Sequence, residues 1–95
     1  MGEDVMEKKF VKINLDKERV LYYNLNSLEK FEDLTGVTVD KIGGKMSMKV
    51  LKALVYCGLM FEDKTITLEQ VGDMIGIEDM QRVSEAIGKA FGGLN

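Results

Sequence analysis

The stretch Ser47-Met-Lys-Val-Leu-Lys-Ala-Leu-Val-Tyr-Cys-Gly-Leu-Met60 decides how the rest of the chain is read. Val50, Leu51, Leu54, Val55, Gly58 and Leu59 recur at helical spacing and make a broad apolar face. Lys49, Lys52 and Tyr56 fall on the opposite side, and Ala53, Cys57 and Met60 add further apolar surface. A helix that is apolar on most sides belongs in a core. At about 14 residues and roughly 21 Å, with two lysines, this one is too short and too charged to span a bilayer. The spacing therefore predicts the central helix of a small soluble domain, with Ser47 as its N-cap.

The chain around it is long enough for one domain with one core: 95 residues, 45% hydrophobic and 31% charged. Residues 1–7 carry Glu3, Asp4 and Glu7 without a pattern and read as a loose tail, which leaves a single domain over residues 8–95. No apolar run at the start suggests a signal peptide.

From Phe10 the period becomes two. Val11, Ile13 and Leu15 alternate with Lys12 and Asn14, then a polar Asp16-Lys17-Glu18 break precedes Val20, Leu21, Tyr22 and Tyr23. This predicts a β-hairpin, and two registers fit it. A three-residue loop puts Leu21 and Tyr23 on the Val11–Ile13 face and leaves Val20 and Tyr22 outside; a four-residue loop exchanges the two pairs. Either way an apolar pair that includes a tyrosine faces outward. Local loops could cover that face and the strand edges, or it could be a docking surface for another chain.

After the hairpin, Asn26 followed by Glu29 reads as the cap of a first helix, with Leu25 before it as a staple, Leu28, Phe31 and Leu34 as the apolar stripe, and Gly36 as the stop. Residues 37–42 read as a short apolar segment ending at the Gly43-Gly44 joint. Beyond the central helix, Phe61-Glu62-Asp63-Lys64 is a connector, and Thr67 with Gln70 is a capping box for a short helix with Leu68, Val71, Met74 and Ile75 on its apolar face. A last helix starts near Glu78 or Asp79 and buries Met80, Val83, Ala86, Ile87, Ala90 and Phe91 before Gly92-Gly93. The predicted fold is mostly α, of the α+β class: an N-terminal β-hairpin followed by a bundle of about four helices.

Chemistry is sparse. The chain has no histidine and one cysteine, and no phosphate-binding glycine loop. Cys57, inside the central helix, reads as a buried small hydrophobe. The acidic pairs Glu32-Asp33, Glu62-Asp63 and Glu78-Asp79 read as solvated surface charge. No catalytic, cofactor-binding or metal-binding residue is predicted, and an enzyme is not expected. The two helices over residues 68–91 imitate a helix-turn-helix, but residues 65–95 carry five acids against only Arg82 and Lys89, so the whole net charge of −3 sits where DNA would bind. Besides Met1 there are six methionines, and Met46, Met60, Met74 and Met80 lie at or near helix ends, where adaptable apolar side chains suit a partner surface.

The pattern as a whole resembles the tail assembly chaperones of long-tailed bacteriophages and prophages. The resemblance is carried by Leu25-Asn-Ser-Leu-Glu-Lys-Phe-Glu32, Met48-Lys-Val-Leu-Lys-Ala-Leu-Val-Tyr-Cys-Gly-Leu59, Thr67-Leu-Glu-Gln-Val-Gly-Asp-Met-Ile75 and the Ala86-to-Phe91 end of the last helix. It runs from about residue 10 to the end; Tyr56-Cys57 stands where the family commonly has an aromatic followed by alanine. It implies a binding protein that holds the apolar, helical tape measure protein soluble until tail tube subunits displace it. Such a protein would act in the bacterial host cytoplasm and be absent from the mature virion. The tail tube protein is a second candidate partner; nucleic acid and membrane are not expected. Tyr22, Tyr23, Met60, Met74, Met80 and Phe91 are the candidate contacts, and surplus apolar surface predicts weak self-association into a homo-oligomer. The alternatives are a connector or tube component that stays in the virion and, less favoured by charge, a helix-turn-helix regulator.

Overall fold

A computed structural model describes residues 10–38 and 47–91 of the chain. The tail at residues 1–7, the segment beyond Thr38 with its Gly43-Gly44 joint, Met46 and the Gly92-Gly93 stop lie outside the described residues. The described residues form an antiparallel hairpin, β1 (Val11–Asn14) and β2 (Glu18–Leu21), followed by four helices: α1 (Leu25–Thr35), α2 (Met48–Leu59), α3 (Leu68–Met74) and α4 (Met80–Ala90), the last entered through a 3₁₀ turn at Ile77–Asp79. The fold is thus α+β, with the hairpin and bundle that the periodicities predict.

Helix α2 is the centre. Ser47 caps it through its hydroxyl, which accepts from the Val50 N–H at 3.1 Å. Leu51, Ala53, Leu54, Val55, Cys57, Gly58 and Leu59 are all buried. Phe31 of α1, Val71 of α3, Val83 and Ile87 of α4, and Ile13 and Leu21 of the hairpin complete the core around it. Burial on nearly every side explains why so little of this helix is polar.

The hairpin takes the three-residue-loop register. Val11 faces Leu21 and Ile13 faces Arg19, so Leu21 points inward and Val20 outward. The exit of β2 then crosses α2 closely. The Tyr22 N–H donates to the Gly58 carbonyl at 3.1 Å, and the Tyr23 hydroxyl donates to the Leu54 carbonyl at 2.6 Å. This crossing needs a glycine. A Cβ on Gly58 would lie 2.8 Å from Leu21 Cδ2 and 2.9 Å from Tyr23 Cζ.

A second tie holds the other end of β2. Arg19 is 8% exposed, on the inner face where the sequence alternation suggests only apolar residues. Its guanidinium makes two hydrogen bonds of 2.9 Å to Asp16 in the hairpin loop and one of 3.0 Å to Asp63 in the connector after α2. A guanidinium keeps its charge at any ordinary pH, and the two carboxylates that reach it offset the cost of taking that charge out of water. The Thr65 hydroxyl also donates to Asp63, at 2.7 Å, and the two partners together bring the Asp63 carboxyl from the ordinary 3.8 down to about 2. The Arg19 hydrogen bonds likewise lower Asp16.

The first helix corrects its predicted start. Asn24, not Asn26, is the cap: its side chain accepts from the Ser27 N–H at 3.0 Å, and the Ser27 hydroxyl accepts from the Asn24 N–H at 3.3 Å. Serine at the third helical position replaces the expected glutamate, and Leu25 becomes the first helical residue, 83% exposed rather than a staple. Gly36 closes the helix in the left-handed conformation at φ 73°, as predicted, with its N–H on the Glu32 carbonyl. Thr67 and Gln70 form the expected capping box on α3.

Two consequences are measurable. Gly58→Ala should lower stability by about 1–3 kcal/mol through overpacking, although alanine favours an exposed helix by about 1 kcal/mol. Gly88→Ala, in α4 with no atom within 4 Å of the new methyl, should raise it by about 0.5 kcal/mol; urea midpoints of the two variants read the opposite signs. The Arg19 clasp gives an acid dependence. Because the folded carboxyls titrate below their unfolded values, their contribution is complete above about pH 4 and is lost as pH falls toward 2. Far-ultraviolet circular dichroism should show an acid transition in that window, with Asp63→Asn flattening it.

Candidate functional site

The register that turns Leu21 inward turns Tyr22 outward, and it also sets Phe10 opposite Tyr22 just beyond the last paired residues. Their ring centroids are 4.9 Å apart. Phe61, the first residue past the α2 C-cap, completes a trio, 4.6 Å from Tyr22 and 5.9 Å from Phe10, all in tilted contact. Phe10 is 49% exposed and Phe61 38% exposed. The Lys64 ammonium lies 6.0 Å from the Phe61 centroid. The hairpin exit and the end of α2 thus jointly hold three aromatic rings at the surface. Leu25, Met48 and Ile77 are also exposed, but each stands on a separate element.

The six predicted contact residues divide. Tyr22 belongs to the trio. Tyr23 and Phe91 are brought together in a stacked pair, centroids 4.6 Å apart and planes 22° apart, with the Tyr23 hydroxyl tied to α2. Burial holds the Tyr23 phenol protonated far above the usual tyrosine range. Both rings therefore serve internal packing first. Met60, Met74 and Met80 sit half-buried against the core at helix ends. Sequence reasoning missed Phe10 and Phe61 as members of a surface. The available signal for Phe10 was cross-strand pairing with Tyr22; none marked Phe61, whose partners are far away in the chain.

Among the described residues no group of three histidine, cysteine or acidic side chains is placed to hold a metal ion. Two of the three acidic pairs supply structural partners rather than merely solvated charge. Asp63 holds Arg19, while Asp79 accepts from the Gly76 N–H at 3.0 Å and from Arg82 at 2.9 Å. The Arg82 bond leads the causes that lower the Asp79 carboxyl below the usual range. Cys57 is fully buried, and desolvation pushes its thiol up to about 11. No described helix is long and apolar enough to cross a membrane. Neither a family model, nor a curated protein, nor a solved structure matches this chain significantly.

The thiol offers a direct check on this packing. At pH 8 Cys57 should react with a chromogenic disulfide reagent at least a hundredfold more slowly in the native protein than in urea. Rapid native labelling would contradict the burial.

Proposed function

We propose that this chain is a phage-type tail assembly chaperone: a binding protein, not an enzyme, that keeps the tape measure protein soluble until the tail tube polymerises. The observation that carries the reading is the surface trio of exposed Phe10 and Phe61 with half-buried Tyr22 on a chain of net charge −3. Exposed rings suit an apolar helical partner, and net negative charge keeps a coated partner soluble. On this reading the protein works in the host cytoplasm and leaves before the virion is complete.

The magnitude of the contact fits a reversible role. Covering the open parts of Phe10 and Phe61 removes on the order of 150–200 Å² of apolar surface from water. That is worth roughly 4–5 kcal/mol before ordering costs. Micromolar affinity needs about 8 kcal/mol. One trio alone therefore holds weakly, and the half-buried Met60, Met74 and Met80 are further candidates for adaptable contact surface. Weak individual contacts on a long partner allow growing tube subunits to displace them.

Co-expression with the tape measure protein tests the proposal. The large protein should move into the soluble fraction and co-purify with this chain. Phe10→Ser with Phe61→Ser should reduce capture severalfold while the circular dichroism spectrum is unchanged. If the large protein stays insoluble and this chain is found in purified particles instead, it is a connector or tube component and the chaperone reading fails.

A further inference from the structure

The hairpin has a second feature, away from the aromatic trio. Among the described residues β1 pairs with β2 alone. A strand with one neighbour turns the N–H and C=O groups of alternate residues outward, unpaired. Helix α4 runs beside this edge without closing it. A groove of about 230 Å³ remains between the whole of β1 and one face of α4, formed by Arg82, Glu85 and Lys89 at helical spacing. Arg82 donates to the Asn14 carbonyl and is itself held by Asp79, so the far end of the edge is pinned and the guanidinium is pre-positioned. Val11, Lys12 and Ile13 line the remainder.

The lining of this groove is richer in cations than the chain as a whole. Lys12, Arg82 and Lys89 line it with one anion, Glu85, while Asp79 and Glu18 pair with Arg82 and Lys12 from outside the lining, in a protein of net −3. Arg82 and Lys89 are the only bases in residues 65–95, and both lie on this groove. Lys12 is only loosely engaged, 3.8 Å from Glu18, which is also exposed. From the open edge and this charge pattern we infer that the groove between β1 and α4 binds an extended, acidic segment of a partner protein as a third strand. The strand edge recognises a peptide backbone, and the cations recognise alternate acidic side chains. A second copy of this chain fits poorly, because pairing two β1 edges would bring two cationic grooves together. The inference is independent of the tape measure reading, since it uses neither the aromatic trio nor an apolar helical partner.

Amide resonances of the isotopically labelled full chain would test it. The probe is a short soluble peptide alternating valine with glutamate, compared with the same peptide carrying glutamine and with a single-stranded oligothymidine. The acidic peptide should shift the amides of Val11, Lys12 and Ile13 and those along the Arg82–Lys89 face. Lys12→Glu with Lys89→Glu, both at exposed positions, should weaken it roughly tenfold while the circular dichroism spectrum at room temperature is unchanged. Four results would each overturn the inference: no shifts at millimolar acidic peptide, an equal response to the glutamine peptide, or oligothymidine moving these amides while the acidic peptide does not. The fourth is movement of the β1 amides with protein concentration alone, which would assign the edge to a second copy.

Discussion

The crossing of β2 over Gly58 is the contact on which the rest of the fold depends. A two-stranded hairpin of four-residue strands has too little buried surface to stand alone. Here it is fixed because α2 offers a turn without a side chain, into which Leu21 and Tyr23 settle. The approach is close enough for a strand N–H to reach a helix carbonyl near the end of α2, one of the acceptors that a helix leaves without an internal partner. Tyr23 then contributes its hydroxyl to Leu54 and its ring face to Phe91, joining the hairpin to the central helix and to the end of the last one at once.

Arg19 works by a different principle at the other end of the same strand. Removing a guanidinium from water is costly, and a hydrophobic residue of similar volume would fill the position at less risk. What the arginine adds is direction. Its planar fork meets Asp16 along one edge and Asp63 along another, so the hairpin loop and the α2–α3 connector are set relative to each other as well as held together. The aromatic trio is made of residues just before β1, at the hairpin exit and just after α2. Its geometry is therefore a product of the core rather than of the loops that carry it.

The helical part of this architecture was legible because each signal was local. Ser47, Thr67 with Gln70, and Gly36 act within one turn of themselves, and the apolar periods of α2 and α4 are strong. The hairpin was legible in kind and ambiguous in register, since Val11–Leu15 and Val20–Tyr23 satisfy two loop lengths equally. Packing decided between them: only one register puts Leu21 against Gly58. The first cap was misread because Asn24 and Asn26 are both competent, and the return hydrogen bond came from a serine rather than the glutamate that the pattern favours. Arg19 gave no warning, since a basic residue in a polar stretch looks solvent-exposed until Asp63, 44 residues later, is folded against it. The surface trio was hidden for the same reason, assembled from Phe10 and Tyr22 near the start of the chain and Phe61 beyond its midpoint.

That separation also has a temporal side. During synthesis the hairpin is made first, but the groups of α2 and its connector that fix β2, from Leu54 to Asp63, come well after it. At about 5–20 residues per second, the 44 residues between Arg19 and Asp63 take roughly 2–9 s to be translated. Over that interval Ile13, Leu21 and Tyr23 have no helix to pack against, and both strand edges are open to other nascent chains. The N-terminal third thus waits for its mould to be made. A stall in elongation between β2 and α2 would prolong the most aggregation-prone moment in the life of the molecule.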